Sequence, residues 1–133
     1  MLPGDYSRMN EDDLKKELLE TYHRYYVEGF KTNNVKLIDH IVRYPITYIK
    51  NGVISSMDHY PVDPGQLKKD IDWDHSIDWK FDIPAINETT AHAVASAIRC
   101  RADGSIIEKV HGFYAFTKVE GKWKMCAVAD ITY

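Results

Sequence analysis

Ser96, His111 and Asp130 are the residues of this chain whose types and spacing point most directly to chemistry. If Asp103-Gly104 and Glu120-Gly121 are two-residue hairpin turns, turn length fixes the register. Ser96 then opposes His111, and His111 opposes Asp130. Directly opposed residues have Cβ atoms about 4.5–5.5 Å apart, near enough for an imidazole and a carboxylate to share a proton. The carboxylate would favour the charged ring and raise its pKa, whereas desolvation would lower it. The row reads as a general acid–base pair in an apolar pocket. The plainer reading is a mutually satisfied pair that fixes strand register. A serine-hydrolase triad is disfavoured, because flat neighbouring strands supply neither a nucleophile elbow nor an oxyanion hole. Gly112 is where a bulge would part His111 from Asp130 and leave Ser96 opposite His111.

The nine tyrosines form a second group. Counting from Asn51-Gly52 places Tyr48 opposite Ser55 and Tyr44 opposite His59, and a first helix adds Tyr22 and Tyr26. Tyrosine hydroxyls in an apolar cavity can orient or polarise a ligand carbonyl, although more of them are core residues with the hydroxyl tied to backbone. The catalytic candidates are therefore His111, Asp130 and Tyr48. Candidate ligand contacts are Tyr22, Tyr26, His59, Trp79, Phe81, Ser96 and Phe113. Asp39-His40, Asp58-His59 and Asp74-His75 are consecutive pairs, which strand alternation or the helical turn angle should separate into surface residues. Six histidines without a helical HxxxH, no Cys/His cluster and no phosphate-binding Gly-rich loop predict neither a metal nor a cofactor.

The elements that must position these residues follow from periodicity. Asn10 is an N-cap signal with Glu11, Asp12 and Asp13 in the first turn. Leu14, Leu18, Leu19, Tyr22, Tyr25, Tyr26 and Phe30 then recur at helical spacing. A short second helix carries Val35, Ile38, Ile41 and Val42, and must stop before Pro45. Residues 46–56 read as a hairpin turning at Asn51-Gly52. Asp63-Pro64 opens another short helix through Leu67 and Ile71. Four long strands follow, at about residues 76–86, 91–102, 106–118 and 122–132, by their alternation and the turn residues between them. A four-residue loop at Asn87 to Thr90 places Phe81 opposite Ser96 and Trp79 opposite Ile98.

This order is α+β, with helices on one side of an antiparallel sheet. One face carries Ile77, Trp79, Phe81, Ile83, Val94, Ser96, Ile98, Cys100, Phe113, Ala115, Cys126 and Val128 together with His111 and Asp130. It is the expected concave face, since the opposite parity in its first strand reads Asp78, Lys80, Asp82. The other face shares Ala93, Ala95, Ala97, Val110, Tyr114, Phe116, Met125 and Ala127, with Arg99 and Glu108 as an ion pair. A sheet apolar on both sides needs a second cover, which points to a homodimer through the outer face.

The chain has 133 residues, enough for one domain that buries roughly 68–70% of its unfolded surface. The expected organisation is a flexible arm over residues 1–10 and a single domain over 11–133. A formal net charge of −3 and scattered Lys and Arg argue against nucleic acid. Met1 to Asp13 lacks an apolar h-region, and no stretch approaches the ~20 apolar residues of a membrane span. The expectation is a cytoplasmic protein without membrane association, with Cys100 and Cys126 reduced.

The helix pair, the Tyr44-Pro45 entry into a strand ending at Asn51-Gly52, and a terminal hairpin running from Phe116 to Met125 through Glu120-Gly121 resemble the nuclear-transport-factor-2-like superfamily, including its SnoaL-like members. The likeness spans nearly the whole chain. It implies a strongly curved mixed or antiparallel sheet, closed by N-terminal helices into a cone with an internal pocket. It also implies dimers that pair through the outer sheet face. Members that isomerise or dehydrate small molecules place an acid–base residue and a Tyr or His on the inner wall, and Asp130 is the closest positional likeness. The resulting expectation is a small-molecule pocket protein. Its chemistry would be that of a cofactor-independent isomerase, dehydratase or cyclase acting on a small apolar carbonyl or hydroxyl compound. The alternative is a non-catalytic ligand-binding or dimerisation module, or an accessory subunit, of the same fold.

Overall fold

The computed structural model describes residues 10–133, so the expected arm lies, apart from Asn10, outside the described residues. Asn10 caps the first helix as its sequence predicts, with Oδ1 accepting from the Asp13 N–H at 2.8 Å. Helix α1 (Glu11–Thr21) passes into a π-helical stretch, Tyr22–Val27, and then a final turn, α2 (Glu28–Lys31). Leu14, Leu18, Tyr22 and Tyr26 are buried along one side, while Leu19, expected on the same stripe, is exposed. A Cβ at Gly29 would lie 2.4 Å from Ile38 Cγ1, so glycine lets α2 close on α3 (Val35–Asp39).

Strands β1 (Val42–Lys50) and β2 (Val53–Met57) turn at Asn51 and Gly52, which adopt φ of 53° and 77°, and Tyr48 opposes Ser55 as expected. Pro45 lies inside β1 rather than ahead of it, where the ladder is interrupted between Val42 and Thr47 and a missing N–H is tolerated. Helix α4 (Pro64–Ile71) is capped by Asp63 as its sequence predicts. Strands β3 (His75–Ile86), β4 (Thr90–Cys100), β5 (Ile106–Val119) and β6 (Lys122–Thr132) complete the sheet. Its order is β2-β1-β6-β5-β4-β3, with β1 parallel to β6 and the other pairs antiparallel. The sheet is curled but not closed, and the helices pack into its concavity as an α+β cone. None of the described helices is long and apolar enough to cross a membrane.

Register departs from the tight-turn expectation at bulges. Glu120-Gly121 is a two-residue turn, and pairing runs as expected from Val119↔Lys122 to Phe116↔Met125. Cys126 is then an extra residue, so Ala115 pairs with Ala127, and Asp130 comes opposite Gly112 instead of His111. Ser96↔His111 and Arg99↔Glu108 do form, but the turn that precedes them holds three residues, closed by Arg101 N–H to Ser105 O at 2.9 Å. A compensating irregularity at Ile107 restores the expected pairs. In β3, Ile86↔Ala91 agrees with the four-residue loop. The ladder then slips at Ile83-Pro84, where proline cannot donate, and again at Asp78-Trp79, with Asp78 at φ 54°. Phe81 therefore opposes Ala95, and Ile98 opposes Ile77.

These slips exchange the faces of β4 and β5. Trp79, Phe81, Ile83, Val128 and Asp130 keep the expected inner side, but the assignment of Val94, Ser96, Ile98, His111, Phe113 and Ala115 to it is corrected. The helices instead cover Ala91, Ala93 and Ala95 of β4 and Tyr114 and Phe116 of β5, which share one core with Leu18, Tyr22, Trp123 and Met125. Cys100 and Cys126 are free.

Candidate functional site

A cavity of 520 Å³ lies between the first helical segment, the end of α4 and the inner face of the sheet. Its floor is low because the residues there are small: Ala95 and Ala97 of β4 and Gly112 of β5. Along that floor Asp130 pairs with Gly112, Gly112 with Ala95, and Ala95 with Phe81. Tyr22, Tyr26 and Phe30 form the helical wall, and Trp73 and Trp79 add aromatic surface to the lining.

Tyr22 stacks on Tyr26 at 4.8 Å between centroids and meets Phe81 at 4.3 Å. The π-helical turn carries both tyrosines into the cavity, a common use of such insertions. Tyr26 and Tyr60 hydroxyls lie 2.5 Å apart, and Tyr22 donates to Tyr114 over 3.4 Å. Burial pushes the pKa of Tyr22, Tyr26, Tyr60 and Tyr114 upwards, so all four remain neutral donors.

Asp130 is the one acid among these hydroxyls. Its Oδ2 accepts from Tyr48 Oη over a long 3.4 Å. Burial raises its pKa, and this outweighs the opposing pull of Lys50, Arg99 and the Tyr48 hydrogen bond. The Tyr48 phenol is raised in turn, first by burial and then by the Asp130 charge. Gly112 completes the arrangement: the point where its Cβ would stand is 2.7 Å from Tyr114 Oη and 3.2 Å from Asp130 Oδ1. Tyr114 Oη and Asp130 Oδ1 thus come together over the glycine, and a substrate resting against both would touch a hydrogen-bond donor and a proton acceptor at once.

Cations gather on the same cavity. Lys31, Lys50, Lys68 and Arg99 line it, against Asp74 and Asp130. Arg99 Nη1 donates to Glu108 Oε2 at 2.6 Å, and its guanidinium carbon lies 4.7 Å from the Trp73 ring centroid. This pair, expected on the outer face, belongs to the cavity side.

Of the expected site residues, Asp130, Tyr48, Tyr22, Tyr26, Trp79 and Phe81 are brought together on the inner side. Ser96 lies in the cavity wall between Ala95 and Ala97 while pairing with His111. His111 opposes Ile131 and stacks on Tyr133 at 5.5 Å, away from Asp130. Phe113 is 40% exposed on the outer face. His59 joins Tyr44 and Tyr60 at a separate 310 Å³ cavity and bonds the neighbouring Asp58 at 2.9 Å. His75 bonds Asp74 likewise, so these consecutive pairs do meet, on exposed side chains. Tyr114 and Arg99 were expected on the outer face, Gly112 only as a bulge, and Lys50 at no site; the alternate alanines 91, 93, 95 and 97 are the pattern that marks the floor. Among the described residues, no three His, Cys, Asp or Glu converge as a metal site requires.

No protein-family model matches the chain, and no curated protein matches it in sequence. Solved structures do match in shape. A protein from Cytophaga hutchinsonii described as nuclear-transport-factor-2-like superposes with TM-score 0.65 over 94% of this chain and 100% of that one, at 12% identity. This chain has the nuclear-transport-factor-2-like fold. Two further structures of that shape have TM-scores of 0.59. A ketosteroid isomerase-like protein from Shewanella frigidimarina covers 90% of this chain and 96% of its own at 10% identity. An aromatic ring hydroxylase-like protein from Novosphingobium aromaticivorans covers 92% and 90% at 11% identity. At such identities the nuclear-transport-factor-2-like likeness is one of architecture.

Proposed function

We propose that the chain binds a small, largely apolar carbonyl or hydroxyl compound and performs cofactor-independent acid–base chemistry on it with Asp130. The observation that carries this reading is the convergence of Tyr114 Oη and Asp130 Oδ1 over Gly112, 2.7 and 3.2 Å from where a Cβ would stand, on the floor of an apolar cavity. Tyr114 takes the part expected of His111. Tyr48 orients Asp130.

Asp130, as carboxylate, would take a proton from the carbon next to a carbonyl. The bond's electrons move to the carbonyl oxygen, where the neutral Tyr114 hydroxyl donates to the developing enolate. Returning the proton to a different carbon completes an isomerisation. Expelling a β-hydroxyl, which leaves as water with that proton, completes a dehydration. A ketosteroid isomerase-like protein shares the fold, which accords with the first outcome.

The partner proposed for the outer sheet face is a second copy, because Phe113, Ile131 and Ile77 are 40%, 61% and 43% exposed there.

The test is proton exchange in D₂O, followed by NMR, with cyclic β,γ-unsaturated and β-hydroxy ketones. The expected result is deuterium at the α-carbon, lost in Asp130→Asn and slowed in Tyr114→Phe. Exchange unchanged by Asp130→Asn would remove the catalytic role. Ketone binding without exchange would favour the non-catalytic binding module.

A further inference from the structure

The chain as a whole carries a net charge of −3, yet four cations against two acids line its main cavity. Two of these cations flank one ring: Lys68 Nζ lies 5.7 Å and the Arg99 guanidinium carbon 4.7 Å from the Trp73 centroid. The backbone fixes this cluster. Lys68 sits in the last turns of α4, which stops at the left-handed residue Asp72 (φ 58°), and the Trp73 N–H returns to the Lys68 carbonyl at 2.9 Å. Arg99 reaches the same ring from β4.

Neither cation is fully matched by a protein anion. Lys68 Nζ donates to the Phe30 carbonyl at 2.5 Å and to Asn33 Oδ1 at 2.7 Å, both neutral acceptors. Arg99 has one carboxylate partner, Glu108, through Nη1, while its Nε is buried with no acceptor. Arg99 is itself only 11% exposed, so bulk water does little to satisfy the rest of its fork. A guanidinium offers donors in a plane that matches a carboxylate, and a buried donor left unpaired is costly. The cavity therefore has apolar floor and walls with an under-satisfied cationic corner.

We propose that the ligand of this cavity is a ring-bearing monocarboxylate whose carboxylate is received by Arg99 and Lys68 beside Trp73. Its apolar body lies on the Ala95, Ala97 and Gly112 floor, and its other end reaches Asp130. A single negative charge fits better than two, since Asp74 and Asp130 line the same space. This inference rests on the reading of the cavity as a small-molecule site, but it does not require turnover.

The experiment compares naphthalene-2-acetate with its neutral amide, naphthalene-2-acetamide, by calorimetry on the whole chain. The expected result is at least tenfold tighter binding of the acid, with the preference falling to about twofold in Arg99→Gln and shrinking as salt is raised. Because Arg99→Gln strands Glu108, the Arg99→Gln/Glu108→Gln pair and the separate Lys68→Gln variant are measured too. Each should lower acid binding and leave amide binding unchanged. Equal binding of acid and amide by the native protein would overturn the carboxylate site while leaving the cavity reading intact. An acid preference that survives all three variants would do the same. Binding of neither compound would overturn both.

Discussion

Asp130 is held in a place that suits a base poorly for stability and well for reaction. Burial favours its neutral form, so its folded pKa lies above its unfolded value. By linkage, its contribution to stability is full below the unfolded pKa, ~3.9, and is lost as pH rises through the folded pKa. Asp130→Asn is therefore expected to be more stable than the native chain at pH 7, with the difference vanishing near pH 3.5. Urea melts of the two proteins at both pH values check this. Turnover should move oppositely, falling about 10²–10⁴-fold in the variant. In the native protein, activity should rise with pH along a limb placed above the usual carboxylate range. Gly112→Ala tests the close approach of Tyr114 and Asp130 over the glycine. The new methyl meets Tyr114 Oη at 2.7 Å, and overpacking of this kind costs about 1–3 kcal/mol, readable as a lower urea midpoint together with lost exchange. Asp130, Tyr48, Tyr22 and Tyr26 were legible in the sequence because their own strands and helix kept the expected side. Tyr114 and Gly112 were hidden, because parity was carried to β5 across a slip at Pro84 that no turn residue announces.

Among the elements, the first helical segment does the closing. Tyr22 and Tyr26, four residues apart in the π-helical stretch, stack and share a cavity wall, and the segment then meets α3 at Gly29. Gly29→Ala would drive a methyl to 2.4 Å from Ile38 Cγ1. The predicted consequence is a loss of about 1–3 kcal/mol with α2 displaced from α3, measured as a lower denaturant midpoint and faster amide exchange in residues 28–39. The second helix ends at Asp39, and Val42, expected on it, opens β1, whereas the Asn10 and Asp63 caps and the Asn51-Gly52 hairpin were readable, since each depends on side chains within a few residues. The β1–β6 parallel pairing was not, because it joins residues about eighty apart in the chain and leaves no local mark.

At the scale of the molecule, the sheet is apolar on both sides even though the two faces are not the ones that strict alternation assigned. A second copy would thus cover Phe113, Ile131 and Ile77 instead of the alanines and Tyr114. Phe113→Glu and Ile131→Glu, both on exposed positions, are expected to shift sedimentation from dimer to monomer at micromolar concentration without unfolding the chain. A native protein that sediments as a monomer at ~100 µM would remove the dimer proposal.

The extra residue at Cys126 has one more implication, for how such a protein changes over generations. Losing a single codon there would let β6 run without interruption beyond Met125, with Ala115 still beside Ala127 and Gly112 still beside Asp130. A change of one residue in length is thus absorbed at this point, and the buried acid keeps its place while the strand that carries it shortens.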